Sequence, residues 1–152
     1  MAYRVGAVAP ALWSRGKEDL AADTHKCELA YFHHPLYSSE APTEKAMYAS
    51  WKEALIPNGV DVVVNGHSHT YERFNLQDAD GVATSLGARQ FVVGTGGKNT
   101  RALPASKLPN CQASSDTTFG VLKLALHPTS YSWGFMPITG QSFTDAGTTE
   151  CH

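Results

Sequence analysis

The chain has 152 residues, of which 42 % are hydrophobic and 17 % are charged. This length favours one domain over two, and a chain of this size buries roughly 70 % of its unfolded surface, enough for a core without metal or disulfide staples. The apolar content excludes an intrinsically disordered chain. The formal charge of −2 excludes a strong electrostatic attraction to a nucleic-acid backbone.

The start of the chain, residues 1–14, has no regular hydrophobic period. Its apolar run from Val5 to Trp13 contains Pro10 and is too short to span a bilayer, so no membrane segment is expected here. The run follows a single basic residue, Arg4, and has no clean small-x-small cleavage site, which argues against a signal peptide. We interpret residues 1–14 as a leader or remodelled start, and residues 15–152 as a single domain.

Two strands joined by a helix are predicted next. The apolar run Cys27–Phe32 has the length of a strand. Thr43 is a suitable cap for a helix that ends at Pro57–Gly59. The apolar residues of this helix recur at near-3.6 spacing: Ala46, Met47, Trp51, Ala54 and Leu55. Val60–Asn65 is rich in β-branched residues, as expected of a strand buried on both faces of a parallel sheet. Residues 27–65 are therefore predicted to form a β-α-β unit.

The second half of the chain carries mostly β signals. Gln90–Gly94 is a short predicted strand, whereas residues 95–118 are rich in Gly, Asn, Ser and Pro and are predicted to form a long loop. Gly120–Leu126 and Ser130–Met136 alternate in polarity, with a hairpin turn between them. The predicted fold class is α/β, with a βαβ unit that continues into a β-rich half-sandwich.

Four of the seven histidines fall in two motifs, each directly after a predicted strand: His33-His34-Pro35 and Gly66-His67-Ser68-His69. A neutral imidazole is a favoured ligand of zinc and other first-row metals. In extended backbone, residues two apart point the same way, so His67 and His69 are expected to face one cavity.

A glycine at position 66 would let the backbone turn sharply there. Adjacent parallel strands lie about 4.8 Å apart, which allows His33, His67 and His69 to converge on one ion. The alternative is that the histidines after the first strand merely bond the backbone at its end.

These motifs resemble a known family. Phe32–Ser38 and Asn65–Arg73 resemble the last two metal motifs of the calcineurin-like metallophosphoesterases, with the greatest similarity to the purple acid phosphatase branch and its bacterial secreted relatives. Further segments look like the same relatives: Phe91–Gly97, Phe119–Leu124 and Cys151–His152. The resemblance covers residues 13–152 and implies half of an αββα sandwich, together with a secreted or periplasmic location.

The resemblance also implies a metal-dependent hydrolase of phosphate esters, in which two ions hold the phosphate and a metal-activated water attacks phosphorus. Carried over by position, His33 and His67 are ligands of one ion, and His69 is a ligand of the other. Three imidazoles accommodate zinc, which is the metal expected here, as well as iron, manganese or cobalt. The expected substrate is a small phosphomono-, di- or triester, with no nucleic-acid or membrane partner.

Three further residues are assigned to catalysis through the same resemblance. His34 matches no ligand position and is expected to contact the substrate or to fill the loop. Glu72 and Arg73 match the segment after the second histidine motif and are expected to fix the histidine loop by hydrogen bonds. Arg73, or the metal itself, would offset the charge that develops on a phosphoryl oxygen.

The upstream family motifs that supply a bridging aspartate, an asparagine and a histidine acid are absent, so this sequence resembles the C-terminal half of such an enzyme. Three explanations stay open. A single ion is held by three histidines with a fourth position for water; two chains associate; or the chain is a non-catalytic metal-binding or structural fragment. Replacement carboxylates are Asp61, Glu72, Asp78, Asp80 and Asp116, of which Glu72 alone lies beside a motif.

The three cysteines, Cys27, Cys111 and Cys151, cannot all pair within one chain. A bridge between Cys111 and Cys151 would tie down the C-terminus, whereas Cys27 opens an apolar run and is typical of a buried thiol or a partner for another chain. The sequence leaves open whether the Cys111–Cys151 bridge forms.

In the resembled fold, this half of the enzyme buries one sheet face against the half that is absent here. A lone chain is therefore expected to expose Val62, Val64 and Val92, and exposed apolar patches of this kind mark interfaces. We predict a homodimer through this face, most simply a two-fold one.

Overall fold

The computed structural model describes residues 2–4, 18, 20–40 and 45–152. Within these residues, six strands form a mixed sheet in the spatial order β1-β2-β3-β5-β4-β6, and three form an antiparallel sheet in the order β7-β8-β9. The strands are β1 (Ala2–Arg4), β2 (Leu29–Phe32), β3 (Val62–Asn65), β4 (Tyr71–Gln77), β5 (Ala88–Val93), β6 (Cys111–Ser115), β7 (Gly120–Leu126), β8 (Ser130–Pro137) and β9 (Ala146–Glu150).

The predicted β-α-β unit is confirmed, since β2 and β3 pair in parallel from Leu29↔Val62 to Phe32↔Asn65. Between them, helix α1 (Lys45–Ser50) continues directly into a π-helical segment, Trp51–Leu55. The wider turn is closed by the amide of Ile56, which donates to the carbonyl oxygen of Trp51 at 3.0 Å.

Four of the five residues predicted on the apolar face of this helix are buried: Met47, Trp51, Ala54 and Leu55. Ala46 is exposed instead. The predicted cap, Thr43, lies outside the described residues.

The mixed sheet has an apolar layer on each face, because successive side chains of a strand point to opposite sides. Ala30 and Val63 pack with the helical segment on one face. Val62 and Phe91 pack on the other face against the antiparallel sheet, which contributes Trp133 among its apolar residues. The fold class predicted from the sequence is confirmed.

The expected exposed sheet face is wrong. Val62 and Val92 are fully buried, and Val64 is partly buried and packs in the core layer between the sheets. The reason is that β7, β8 and β9 cover the face that carries Val62 and Val64. Val92 follows Phe91 on β5 and therefore points to the opposite face. The homodimer was predicted from an exposed apolar face that the structure does not have. It stays a prediction.

The hairpin of β7 and β8 is confirmed, with Gly120 opposite Pro137 and Leu126 opposite Tyr131. The long loop predicted for residues 95–118 is wrong in part, because it contains β6, which pairs antiparallel with β4. Strand β9 lies in a segment with no predicted element and pairs with β8. Both β6 and β9 are short and polar, so their own sequences carry little strand signal. Strands β1 and β4 also lie in segments for which no strand was predicted.

The disulfide joins Cys27 to Cys151, with their α-carbons 5.3 Å apart, and Cys111 is the free thiol. The bridge between Cys111 and Cys151 considered from the sequence is therefore wrong. Cys27 and Cys151 are both buried in the layer between the two sheets, and the amide of Cys151 donates to the carbonyl oxygen of Thr129 at 2.9 Å. Stacking of the sheets thus brings together residues that lie 124 positions apart.

Within the described residues, no helix combines the length and apolar content that crossing a membrane requires. The division into residues 1–14 and 15–152 stays a prediction, because residues 5–17 lie outside the described part of the chain.

Candidate metal centre

The two histidine motifs meet at one edge of the mixed sheet. His33 follows the last residue of β2, and Gly66 follows the last residue of β3, so both motifs lie at the carboxyl ends of neighbouring parallel strands. The amide of Gly66 donates to the carbonyl oxygen of His33 at 3.1 Å, which joins the two turns directly. This is the edge at which open α/β sheets bind ligands.

Three imidazoles converge there. His33, His34 and His67 each offer one ligand nitrogen, and these atoms lie within 4.8 Å of one another. His67 Nδ1 lies 3.2 Å from His33 Nε2. Nitrogen ligands at 2.0–2.1 Å from a tetrahedral zinc ion lie about 3.3 Å from each other, so this pair already has the spacing of two ligands of one ion. The predicted convergence of the two motifs is confirmed, and the donor set fits a first-row metal.

His34, rather than His69, completes this group. His67 has a φ of 63°, in the left-handed region, so the backbone here is not extended and the alternation rule does not apply to His67 and His69. The cavity predicted to be shared by these two residues stays a prediction. His69 Nδ1 donates to Asn99 Oδ1 at 2.8 Å, which leaves the lone pair of its Nε2 available. A ligand role for His69 stays a prediction.

The chain turns sharply directly after Gly66, because the amide of Ser68 donates to the carbonyl oxygen of Gly66 at 2.8 Å. The residues with positive φ in the described chain include His67 but not Gly66. A β-carbon at position 66 would meet His33 Nδ1 at 3.6 Å, an ordinary contact. The strained position is the histidine itself, and backbone strain of this kind is concentrated at functional sites.

The environment of His33 favours the neutral form of its imidazole. His33 is exposed, but partial desolvation of its ring lowers its pKa from the ordinary value, and the nearby imidazoles of His34, His67 and His69 lower it further. Because metal ligation requires the neutral imidazole, the lowered pKa favours ligation at neutral pH.

Asn65 fixes the first histidine turn and was missed by the sequence analysis. Its side-chain Nδ2 donates to the carbonyl oxygens of Phe32 at 2.9 Å and His34 at 3.4 Å, on either side of His33. The residue is buried, and its Oδ1 has no hydrogen-bond partner among the described residues. A polar residue that closes an otherwise apolar strand was the available signal.

Glu40 fixes the second histidine loop and was also missed. Its Oε2 accepts from the amide of His69 at 2.9 Å, and its Oε1 accepts from Arg101 Nη1 at 2.8 Å. Burial would raise the pKa of Glu40, but the bonds from Arg101 and from the His69 amide outweigh it, so the pKa is lowered. The carboxylate is thus held ionised beside the histidines.

Glu72 supports the loop that follows the first histidine motif. It is fully buried, and its carboxylate accepts from Ser38 Oγ at 3.0 Å and from the amide of Ser39 at 3.1 and 2.9 Å. Burial raises the pKa of Glu72 even though these bonds oppose the shift. The expected support role is therefore directed at residues 38–39, and not at the loop that contains His67.

Arg73 lies between the two sheets. Its Nε donates to Asp145 Oδ2 at 2.7 Å and its Nη2 to Asp145 Oδ1 at 3.1 Å, and the guanidinium stacks on Trp133 at 5.2 Å. Its Nη1 donates to Gln112. The prediction that Arg73 fixes the histidine loop is wrong. Its Nε, Nη1 and Nη2 all donate to protein oxygens, which gives no support to a role on a phosphoryl oxygen.

The other replacement carboxylates bond protein groups instead of joining the imidazoles. Asp61 accepts from the amides of Glu28 and His152, Asp78 from those of Asp80 and Val82, Asp80 from Tyr48 and Lys52, and Asp116 from the amide of Leu103. No carboxylate belongs to the three-imidazole group in the part of the chain that the structure describes. The candidate centre is therefore built from neutral donors.

No family model and no curated protein matches the chain. Among solved structures, it is similar to the purple acid phosphatase PPD1 from yellow lupin (Lupinus luteus) seeds, with a TM-score of 0.72 and 21 % identity over 90 % of this chain and 28 % of that chain. It is also similar to GAP50, the anchor in the inner membrane complex of Plasmodium, with a TM-score of 0.70 and 16 % identity over 93 % of this chain and 42 % of that chain. The chain has part of the metallophosphoesterase fold.

A third neighbour with this metallophosphoesterase fold is PhoD, with a TM-score of 0.60 and 16 % identity over 94 % of this chain and 32 % of that chain. The resemblance that the histidine motifs suggested is thus confirmed at the level of fold. The chain spans between 28 % and 42 % of the length of these three neighbours.

Proposed function

We propose that the chain binds one metal ion through His33, His34 and His67 and hydrolyses small phosphate esters with a metal-activated water. The observation that carries the proposal is the 3.2 Å separation between His33 Nε2 and His67 Nδ1. It occurs at the carboxyl edge of a sheet whose fold is similar to that of a purple acid phosphatase. Three protein ligands leave a fourth position for water, which is the arrangement of a catalytic zinc site.

When bound, the metal would lower the pKa of a water molecule and stabilise negative charge on phosphoryl oxygen. The residues of the chain supply the rest. Asn65 holds the carbonyl groups on either side of His33. Three neutral imidazoles leave the charge of a divalent cation uncompensated, so the site would attract an anionic ester. Zinc is the expected metal, and iron, manganese or cobalt also suit imidazole donors.

We also propose a secreted or periplasmic location. The disulfide between Cys27 and Cys151 supports it, because disulfides persist mainly in oxidising compartments. Fractionation of the native cells tests this, and recovery of reduced protein from the cytosol would contradict it.

The proposed homodimer is tested separately by light scattering, and a monomer mass at micromolar concentration would contradict that proposal.

The alternative is a metal-binding or structural fragment without turnover. One observation favours it: no carboxylate joins the imidazole group among the described residues. The two candidates differ in one respect, since both bind metal but only the first couples metal binding to hydrolysis.

The test is hydrolysis of chromogenic phosphate mono-, di- and triesters after chelation and after re-addition of each metal. We expect activity that returns with the metal and falls at least about 100-fold in His67→Ala. His127→Ala is the matched control, because His127 is an exposed histidine in the β7–β8 turn. Equal activity in the two variants would contradict the enzyme, while metal binding without hydrolysis would favour the fragment.

A further inference from the structure

We infer that Arg101 binds the phosphoryl oxygens of the substrate and that Glu40 is its positioning residue. This inference rests on the proposed function, because it names the protein group that recognises the anionic part of the same ester. It gives Arg101 the role that the sequence indicated for Arg73, which is to offset the negative charge on phosphoryl oxygen.

Arg101 is attached to the histidine loop at two points. Its amide donates to the carbonyl oxygen of His69 at 3.2 Å, and its Nη1 donates to Glu40 Oε1 at 2.8 Å. The second oxygen of the same carboxylate accepts from the amide of His69. The guanidinium, the carboxylate and the histidine loop therefore form one connected unit beside the candidate metal centre.

The two side chains of the Arg101–Glu40 ion pair differ sharply in their exposure to solvent. The side chain of Glu40 is 8 % exposed, whereas that of Arg101 is 53 % exposed. A buried carboxylate that also accepts from a backbone amide is a fixed anchor, while the exposed guanidinium is open to a ligand from solvent. The ion pair with Glu40 orders the arginine side chain before any ligand binds, so ligand binding does not carry that loss of conformational entropy.

Two of the three guanidinium nitrogens of Arg101 are available to a ligand. Nη1 bonds Glu40, but Nε and Nη2 have no protein acceptor among the described residues. Nε and Nη2 are the pair of nitrogens that forms two parallel hydrogen bonds to one oxyanion group, a geometry that suits phosphate. Arg73 offers the opposite case, since Asp145 already occupies its Nε and Nη2.

The neighbouring residues are consistent with an anion site. Asn99 lies on the same loop after β5 and bonds the ring of His69, so the loop that carries Arg101 is tied to both the backbone and the side chain of that histidine. Among the described cations, Arg101 is the one that hydrogen-bonds the loop containing His69. Arg101 is therefore the cation assigned to the phosphoryl oxygens.

The test uses inorganic phosphate as the probe, titrated calorimetrically into the protein as purified and after zinc loading. Arg101→Gln is expected to raise the phosphate dissociation constant about 10- to 100-fold, and Arg101→Lys to raise it less, because lysine keeps the charge but not the paired donors. Lys123→Gln is the matched control: it removes the same charge from an exposed position on β7 and is expected to have no effect.

Glu40 is tested by a double-mutant cycle. Glu40→Gln keeps an acceptor but loses the charge that anchors the guanidinium, so phosphate affinity should fall less than in Arg101→Gln. Because Glu40 acts through Arg101, the double variant should bind phosphate no more weakly than Arg101→Gln alone. Additive losses would overturn the positioning role.

The outcomes separate this inference from the proposed function. Unchanged phosphate affinity in Arg101→Gln, with hydrolysis that still depends on His67, would overturn the inference and leave the function standing. Weaker phosphate binding in Arg101→Gln, in a protein that hydrolyses no ester, would support the anion site and reject the function. An equal loss in Lys123→Gln, or no phosphate binding by the wild type in either form, would overturn the inference. Thermal melting of each variant establishes that it is folded.

Discussion

The backbone of Gly94 lies directly against the carbonyl group of Ser68. A β-carbon built on Gly94 would lie 1.8 Å from the Ser68 oxygen and 3.0 Å from the α-carbon of His69. The amide of Gly94 also donates to the carbonyl oxygen of Thr70 at 3.0 Å. The end of β5 therefore packs under the histidine loop with no room for a side chain, and this contact fixes the height of the loop above the sheet.

Gly94→Ala should displace the loop that carries His67, because the clash is with backbone and not with a flexible side chain. We expect a loss of about 2–4 kcal/mol in the free energy of unfolding, together with weaker zinc binding. Gly96→Ala is the matched control, since a β-carbon there meets nothing within 4 Å. Zinc affinity and urea unfolding of the two variants give the comparison, and equal behaviour would mean that the loop tolerates the displacement.

Glu72 is expected to be a main support of the loop that follows His34. Glu72→Ala leaves the Ser39 amide and the Ser38 hydroxyl without their buried acceptor, at a cost of about 2–4 kcal/mol. Glu72→Gln keeps one acceptor oxygen and should cost less. Glu150→Gln, at an exposed position on β9, should change the stability by less than about 0.5 kcal/mol. Urea unfolding and hydrogen exchange at the Ser39 amide are the measurements, and a protected amide in Glu72→Ala would refute this role.

The disulfide between Cys27 and Cys151 closes a long loop, because the cysteines lie 124 positions apart. Its removal by Cys151→Ala should lower the free energy of unfolding by about 3–5 kcal/mol on the chain-entropy estimate. Cys111→Ala removes the free thiol and should leave the bridge intact. Thiol counting under denaturing conditions should find one reactive thiol in the wild type and none in Cys111→Ala. Two thiols in Cys111→Ala would show that the bridge uses Cys111.

Protonation of the Glu28 carboxyl at low pH should stabilise the folded state. Burial, and then the charges of Asp23 and Asp61, raise the pKa of Glu28 from 4.5 to about 7, against an opposing effect of His25. The folded state therefore binds a proton more tightly than the unfolded state does. The resulting stabilisation is fully present below about pH 4.5 and is lost as the pH rises through about 7.

Glu28→Gln isolates this effect from other titrating groups, because glutamine mimics the protonated carboxyl. The variant and the wild type should be equally stable near pH 4, and the variant should be more stable near pH 8, by on the order of 3 kcal/mol. Chemical denaturation at the two pH values gives the difference. A variant that is less stable than the wild type at pH 8 would mean that the ionised carboxylate is stabilising.

Much of the fold follows from local pattern. The apolar run that ends at Phe32, the periodic helix around Trp51 and the β-branched run before Asn65 each carry enough signal to predict a parallel pair of strands. The alternation of Gly120–Leu126 predicts its hairpin in the same way. Strands β6 and β9 have no such signal, because their sequences, CQASS and AGTTE, are polar and form strands through pairing with neighbours distant in sequence.

The candidate site was predictable to the level of motif but not of side-chain direction. The position of both motifs at strand ends was sufficient to bring His33 and His67 together. The presence of His34 in the three-imidazole group and the φ of 63° at His67 are features that no spacing rule indicates. Arg73 was misassigned for a related reason: the sequence places it near the motif, whereas its strand position points it between the sheets toward Asp145.

The central claim is that imidazoles from two strand ends bind one metal ion. Anomalous diffraction at the zinc edge from crystals of the zinc-loaded chain tests it most directly. The account predicts one peak per chain, about 2.0–2.1 Å from both His33 Nε2 and His67 Nδ1. Zinc bound elsewhere, or no peak with the two nitrogens turned away from each other, would contradict it.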